Sequence, residues 1–119
     1  MEIKFRKYKD IVVLDLIGEF DLYNTTMLLD SIKKIRKKKV NDFIINLANV
    51  SYIDSSGIGS LIKIHSKNQS DSGFFCISGI SNTILKIFEQ SGLNHYFNLE
   101  NDVKSAIKRC INSKEVSQQ

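Results

Sequence analysis

The segment Phe43-Ile44-Ile45-Asn46-Leu47 is short and almost continuously apolar, as expected of a strand buried on both faces. Strands of that kind belong to sheets covered by helices, and the flanking sequence supplies both partners. Residues 3–8 alternate, Ile3 and Phe5 against Lys4 and Arg6, like a strand with one wet face. Lys9-Asp10 punctuates the pattern and a β-branched run over residues 11–17 resumes it, so the two strands read as a hairpin. Gly18-Glu19-Phe20-Asp21 closes the second strand. Asp21 or Asn24 then caps a helix whose apolar positions Leu28, Ile32 and Ile35 recur at helical spacing.

Beyond residue 47, a polar junction leads into a second helix with Ile58, Leu61, Ile62 and His65 on one face. Residues 74–78 form the next buried strand. Ser81 caps a third helix carrying Ile84, Leu85 and Phe88, and Gly92 stops it. Residues 96–99 read as a last short strand, and Asn101 or Asp102 starts a fourth helix with Val103, Ala106, Ile107, Cys110 and Ile111. This order predicts an α/β fold: a mixed sheet with an N-terminal antiparallel hairpin, the remaining strands mostly parallel, and about four helices. In such sheets function concentrates in loops beyond the C-terminal strand ends.

At 119 residues and 42% hydrophobic, the chain can bury one real core without staples. Cys76 and Cys110 both sit in apolar runs and read as small buried hydrophobes, which implies a reduced, cytoplasmic setting. No segment resembles a signal peptide or reaches the roughly 18 apolar residues of a membrane span. The formal charge of +4 invites a nucleic-acid reading, and six of the seven residues 33–39 are basic. That cluster closes the first helix, where positive charge complements the macrodipole, and no aromatic residue is interleaved in it. It is read as a solvated helix end, and direct nucleic-acid binding is not expected.

The junction Tyr52-Ile53-Asp54-Ser55-Ser56-Gly57-Ile58-Gly59 gathers two hydroxyls, a carboxylate and two glycines where a buried strand meets a helix. Ser55 or Ser56 falls in the first helical turn, where unpaired amides and the dipole favour an anion. The structural alternative is that Asp54, Ser55 and Ser56 cap the helix and the glycines permit close helix-to-sheet packing. The spacing fits no nucleotide-binding glycine loop.

These residues resemble the signature of bacterial anti-sigma factor antagonists, the STAS domain. The likeness includes Asp54-Ser55-Ser56-Gly57-Ile58-Gly59, the turn Gly18-Glu19-Phe20-Asp21, and Ser91-Gly92-Leu93 followed by Phe97. It implies a STAS domain over residues 1–112 with a short frayed tail at 113–119. It also implies phosphorylation of the serine after the aspartate, Ser55, with Ser56 as the alternative. The modifying partner would be an ATP-dependent serine kinase that is itself the anti-sigma factor, and a phosphoserine phosphatase would reset the switch. Unmodified protein would bind that partner and free sigma; modified protein would let go. On this reading the chain is a substrate and not an enzyme, and it needs no cofactor of its own. Asp54 is a motif residue that braces the loop, and Tyr23, Gly57 and Ser60 join the contact surface as adjoining exposed positions. Within the same fold, an adaptor role in a lipid-transport or stress-signalling assembly is an alternative, as is a domain that binds a small ligand or nucleotide. His65 reads as a packed or edge residue of the second helix and His95 as a loop residue. Neither has metal-ligand spacing or a supported triad.

Overall fold

The computed structural model describes the backbone of residues 1–117 and the side chains of residues 1–115. Five strands, β1 (Glu2–Tyr8), β2 (Ile11–Phe20), β3 (Asp42–Ile53), β4 (Phe75–Ser78) and β5 (Leu99–Glu100), form one sheet in that spatial order. β1 and β2 are the antiparallel hairpin, and every later pairing is parallel. The helices are α1 (Thr25–Arg36), α2 (Ser55–Ser70), α3 (Asn82–Gln90) and α4 (Val103–Ser117).

Parallel strands that step in one direction across a sheet send their right-handed crossovers to the same face. Accordingly Leu28 and Ile32 of α1, Leu61 and Ile64 of α2, and Ile84 and Phe88 of α3 share one core with Leu14, Phe43 and Phe75. α4 follows the last strand, so it is free to cover the other face. There Ala106 and Cys110 pack on Ile11, Val13, Ile44, Phe74 and Cys76.

Several boundaries differ from the sequence reading. β3 continues through residues 48–53, expected as loop, because its pairing with β2 is interrupted by register shifts near Asp15/Ile17 and Gly18/Glu19. Bulges of this kind break the two-residue alternation that marks a strand. Tyr96 lies in turn and Phe97 is a buried residue outside any strand, so the last strand is only Leu99–Glu100. Asn24 occupies the N-cap of α1 without a side-chain bond to a helix amide, and Asp21 does not cap it either. Asn24 Nδ2 instead donates to the Glu19 carbonyl at 2.9 Å and to Asp21 Oδ1 at 3.0 Å. Asp102 starts α4 by accepting from the Ser105 amide at 2.7 Å. α4 remains helical past Ser113, where fraying was expected, while Gln118 and Gln119 lie outside the described residues. Ser81 and Gly92 behave as read. Ser81 Oγ accepts from the Ile84 amide, and Gly92 at φ +72° allows Leu93 N–H to reach the Phe88 carbonyl at 2.8 Å.

Candidate functional site

The site is assembled where β2 and β3 end side by side. Glu19 pairs with Tyr52 and Phe20 with Ile53, so the turn entering α1 and the junction entering α2 leave the sheet as neighbours. Asp54 ties them together. It is the N-cap of α2, and its Oδ1 accepts from the Ser56 amide at 2.9 Å and the Gly57 amide at 3.1 Å. Its Oδ2 accepts from the Leu22 amide at 3.3 Å, across 32 residues of sequence. The backbone repeats the link: Asp54 N–H donates to the Phe20 carbonyl at 3.3 Å.

The capping reading therefore holds for Asp54, which leaves fewer open amides at this helix start for an anion than the sequence alone suggests. The protein's own carboxylate occupies two of the amides. Gly57 performs the packing expected of the glycines, since a Cβ there would stand 2.6 Å from the Phe20 carbonyl oxygen and 2.9 Å from Ile53 Cγ1. Gly59 does not, as nothing lies within 4 Å of its Cβ position.

Of the two hydroxyls, Ser55 is exposed and Ser56 half-buried. Gly57 and Ser60, expected as exposed contact positions, are buried. Ser60 Oγ donates to the Gly57 carbonyl at 2.7 Å and fills a position beneath the first turn. Ile58 is half-buried and packs against the core. Tyr23 is 89% exposed, and its amide is held by Asp21 Oδ1 at 3.1 Å. Three further exposed apolar side chains, Leu22, Met27 and Tyr52, went unread. The signal in sequence is the pair Leu22-Tyr23 placed in a strand-to-helix turn, where large apolar residues gain nothing from solvent.

The basic cluster sits at the far end of α1, about 18 Å along a 12-residue helix from the site. It is not uniformly solvated. Arg36 is inserted between α1 and α2, donating to Asn68 Oδ1 at 2.7 Å and lying 5.4 Å over the Phe43 ring. Burial pulls its pKa down, and Asp71 acts in the opposite sense. His65 is buried among Phe75, Tyr96 and Phe97, with ring centroids 4.8 to 5.6 Å away. Its Nδ1 has no hydrogen-bond partner among the described residues, and burial lowers its pKa against a backbone hydrogen bond with Tyr96. His95 is exposed. Both cysteines are free and buried, and burial pushes the thiols up to about 12 for Cys76 and about 11 for Cys110. Among the described residues no group of three or more His, Cys, Asp or Glu could hold a metal, and no helix is long and apolar enough to cross a membrane.

The family model for the STAS domain matches residues 2–106. The chain belongs to the STAS domain family. Among its relatives, this STAS domain is 32% identical over 94 residues to an anti-sigma-B factor antagonist of Staphylococcus epidermidis, covering 78% of this chain and 86% of that one. It is 36% identical over 77 residues to the anti-sigma-B factor antagonist of Staphylococcus aureus, covering 64% and 70%. In fold, the STAS domain superposes on an anti-sigma factor antagonist from Mycobacterium paratuberculosis with a TM-score of 0.82 at 18% identity, over 92% of each chain. The Bacillus protein SpoIIAA in its phosphorylated form gives 0.73 at 24% identity, over 91% of this chain and 98% of that one.

Proposed function

We propose that this STAS domain is an anti-sigma factor antagonist that works by partner switching at Ser55. Unphosphorylated, it binds an anti-sigma factor that is also an ATP-dependent serine kinase, and sigma is freed. Phosphorylation of Ser55 releases the complex, and a phosphoserine phosphatase restores the binding form. The Staphylococcus relatives are named anti-sigma-B factor antagonists, which supports the antagonist role, and the local geometry supports a switch at Ser55.

The observation that carries it is the division of labour between Asp54 and Ser55. Asp54 is committed to three amides and fixes the loop, while Ser55 begins α2 with an exposed hydroxyl. A phosphate added there breaks none of the bonds that hold the junction. It introduces about −1.5 to −2 charge and three acceptor oxygens beside an existing carboxylate. Leu22, Tyr23, Met27 and Tyr52, on the segments that enter α1 and close β3, leave apolar side chains exposed that a partner would cover. In a closed interface, like-charge contact and desolvation of a phosphate amount to several kcal/mol, which falls on the complex and not on the fold. Because Asp54 already serves the Ser56 and Gly57 amides, a nucleotide phosphate would have to displace that carboxylate to use them, which weighs against the ligand-binding alternative.

The test is incubation with the candidate kinase and ATP, mapping of the modified residue by mass spectrometry, and titration calorimetry of wild type against Ser55→Asp. Modification at Ser55 that requires the kinase is expected, together with at least a tenfold loss of affinity in the aspartate variant, about 1.4 kcal/mol. Modification at Ser56, or unchanged affinity of Ser55→Asp, overturns the assignment.

A further inference from the structure

Three helices cover one face of the sheet, but a single helix covers the other. α4 packs on β3, β4 and β5 and shares a core with Ile11 and Val13 of β2. β1 is not among the strands it packs on. The hairpin register sets Arg6 opposite Val13 and Tyr8 opposite Ile11, which places both side chains on the α4 face. Between them and the flank of α4 runs an open groove of about 450 Å³.

The apolar part of its lining is Tyr8 with Val103, Ile107 and Ile111. The last three recur every fourth residue along α4, a stripe ~12 Å long at 1.5 Å per residue. All three are only partly buried. The charged part is Arg6, Lys104 and Lys108, all cations. Arg6 is held in place by a two-pronged bond to Asp15, at 2.7 and 2.8 Å. Neighbouring helices pack 8–10 Å apart, about two strand spacings, so a helix laid beside α4 on this face rests over β1 and β2.

We propose that this groove receives an amphipathic helix of a partner protein, with an apolar stripe set between acidic residues. The apolar stripe of α4 supplies the seam, and Lys104 and Lys108 select the flanking charge, Arg6 being already paired with Asp15. A second copy of α4 does not fit, because it would bring its own Lys104 and Lys108 against the first pair. The groove lies on the face of the sheet opposite α2, so its occupancy is independent of Ser55. The domain would then hold two partners at once, only one of them governed by phosphorylation.

The experiment uses the full chain, isotopically labelled, and a synthetic 18-residue helical peptide with leucines on one stripe and glutamates flanking it. A second peptide carries lysines in place of the glutamates. Amide shifts centred on Arg6, Tyr8, Val103, Ile107 and Ile111 are expected with the acidic peptide only, with Kd below about 100 µM, and they should weaken with added salt. Lys104→Glu combined with Lys108→Glu should weaken binding at least tenfold while circular dichroism stays unchanged. Ser55→Asp should bind the peptide within about twofold of wild type, which keeps this test separate from the one on the switch. The proposal fails if both peptides bind equally, if nothing shifts at millimolar peptide, or if the shifts map to Lys33, Lys63 and Lys67 on the α1–α2 face. It also fails if oleate moves the same resonances and the acidic peptide does not, or if sedimentation shows a dimer closing the groove.

Discussion

α1 and α2 lie side by side, and their two ends are fastened by different means. At the far end the fastener is buried. Asn68, 1% exposed, donates to the Asn41 carbonyl at 2.9 Å and the Phe74 carbonyl at 3.0 Å, and accepts from the Arg36 guanidinium at 2.7 Å. At the near end it is one half-exposed carboxylate, Asp54, that spans both helix entries. A buried polar hub is costly to disturb because each orphaned group loses its partner without regaining water. A solvated clasp is cheap to disturb. Ser55, the serine we propose is phosphorylated, thus lies at the end where charge can change without threatening the core.

The largest expected effect tests the far end. Asn68→Ala strands the Asn41 carbonyl, leaves the Phe74 carbonyl with only the Phe43 amide, and removes the nearest acceptor of the half-buried Arg36 guanidinium from a packed site, so a loss of about 4 kcal/mol is expected in urea unfolding. A loss below 1 kcal/mol would mean that water enters the hub and that the two ends are alike. Gly57→Ala comes next, at about 3 kcal/mol, because the new methyl meets the backbone oxygen of Phe20 at 2.6 Å and α2 must shift as a body. That substitution breaks the near end by steric means and leaves its carboxylate untouched.

Asp54→Ala probes the clasp itself. It removes the cap of α2 and the tie to Leu22, for a loss of about 2 kcal/mol by urea unfolding. Asp54→Asn keeps a good capping oxygen and should recover roughly half of that. If the asparagine variant is as stable as wild type, the Leu22 bond contributes nothing and the clasp is only a cap.

How far these two ends could be read from sequence follows from the range of their contacts. The order of elements along the chain, the hairpin and the inward positions Leu28, Ile32, Leu61 and His65 are legible in the sequence because burial imposes its period locally. Asp54 could be read as a cap because it bonds two and three residues away. Its bond to Leu22 and the Arg36–Asn68 hub span about 32 residues each, and no local pattern carries them. Asn68 did leave a trace, since it continues the inward stripe of Leu61 and Ile64 with a polar residue. The second half of β3 was hidden by bulges, and Gly57 could not be told from Gly59, because one backbone oxygen from β2 decides which glycine is obligatory.

Between the two ends, His65 makes the buried flank of α2 sensitive to acid. Burial holds its pKa below the ordinary value of about 6.5, so the unfolded chain takes up the proton first as pH falls. Its share of stability is complete above about pH 6.5 and declines below it. His65→Phe should flatten urea midpoints measured between pH 7 and 5. An unchanged slope would place the acid sensitivity elsewhere.

The smallest expected effect belongs to Ser55. Its side chain is exposed and no bond of the junction runs through it, so Ser55→Ala should change stability by less than about 0.5 kcal/mol. The same substitution should abolish modification by the kinase. A stability loss approaching that of Asp54→Ala would show that the hydroxyl is part of the clasp. Phosphorylation would then loosen α2 as well as the complex, and the contrast between a silent fold and a responsive interface would fail. A neutral result leaves the hydroxyl free of structural duty, which is what a reversible modification requires of the residue that carries it.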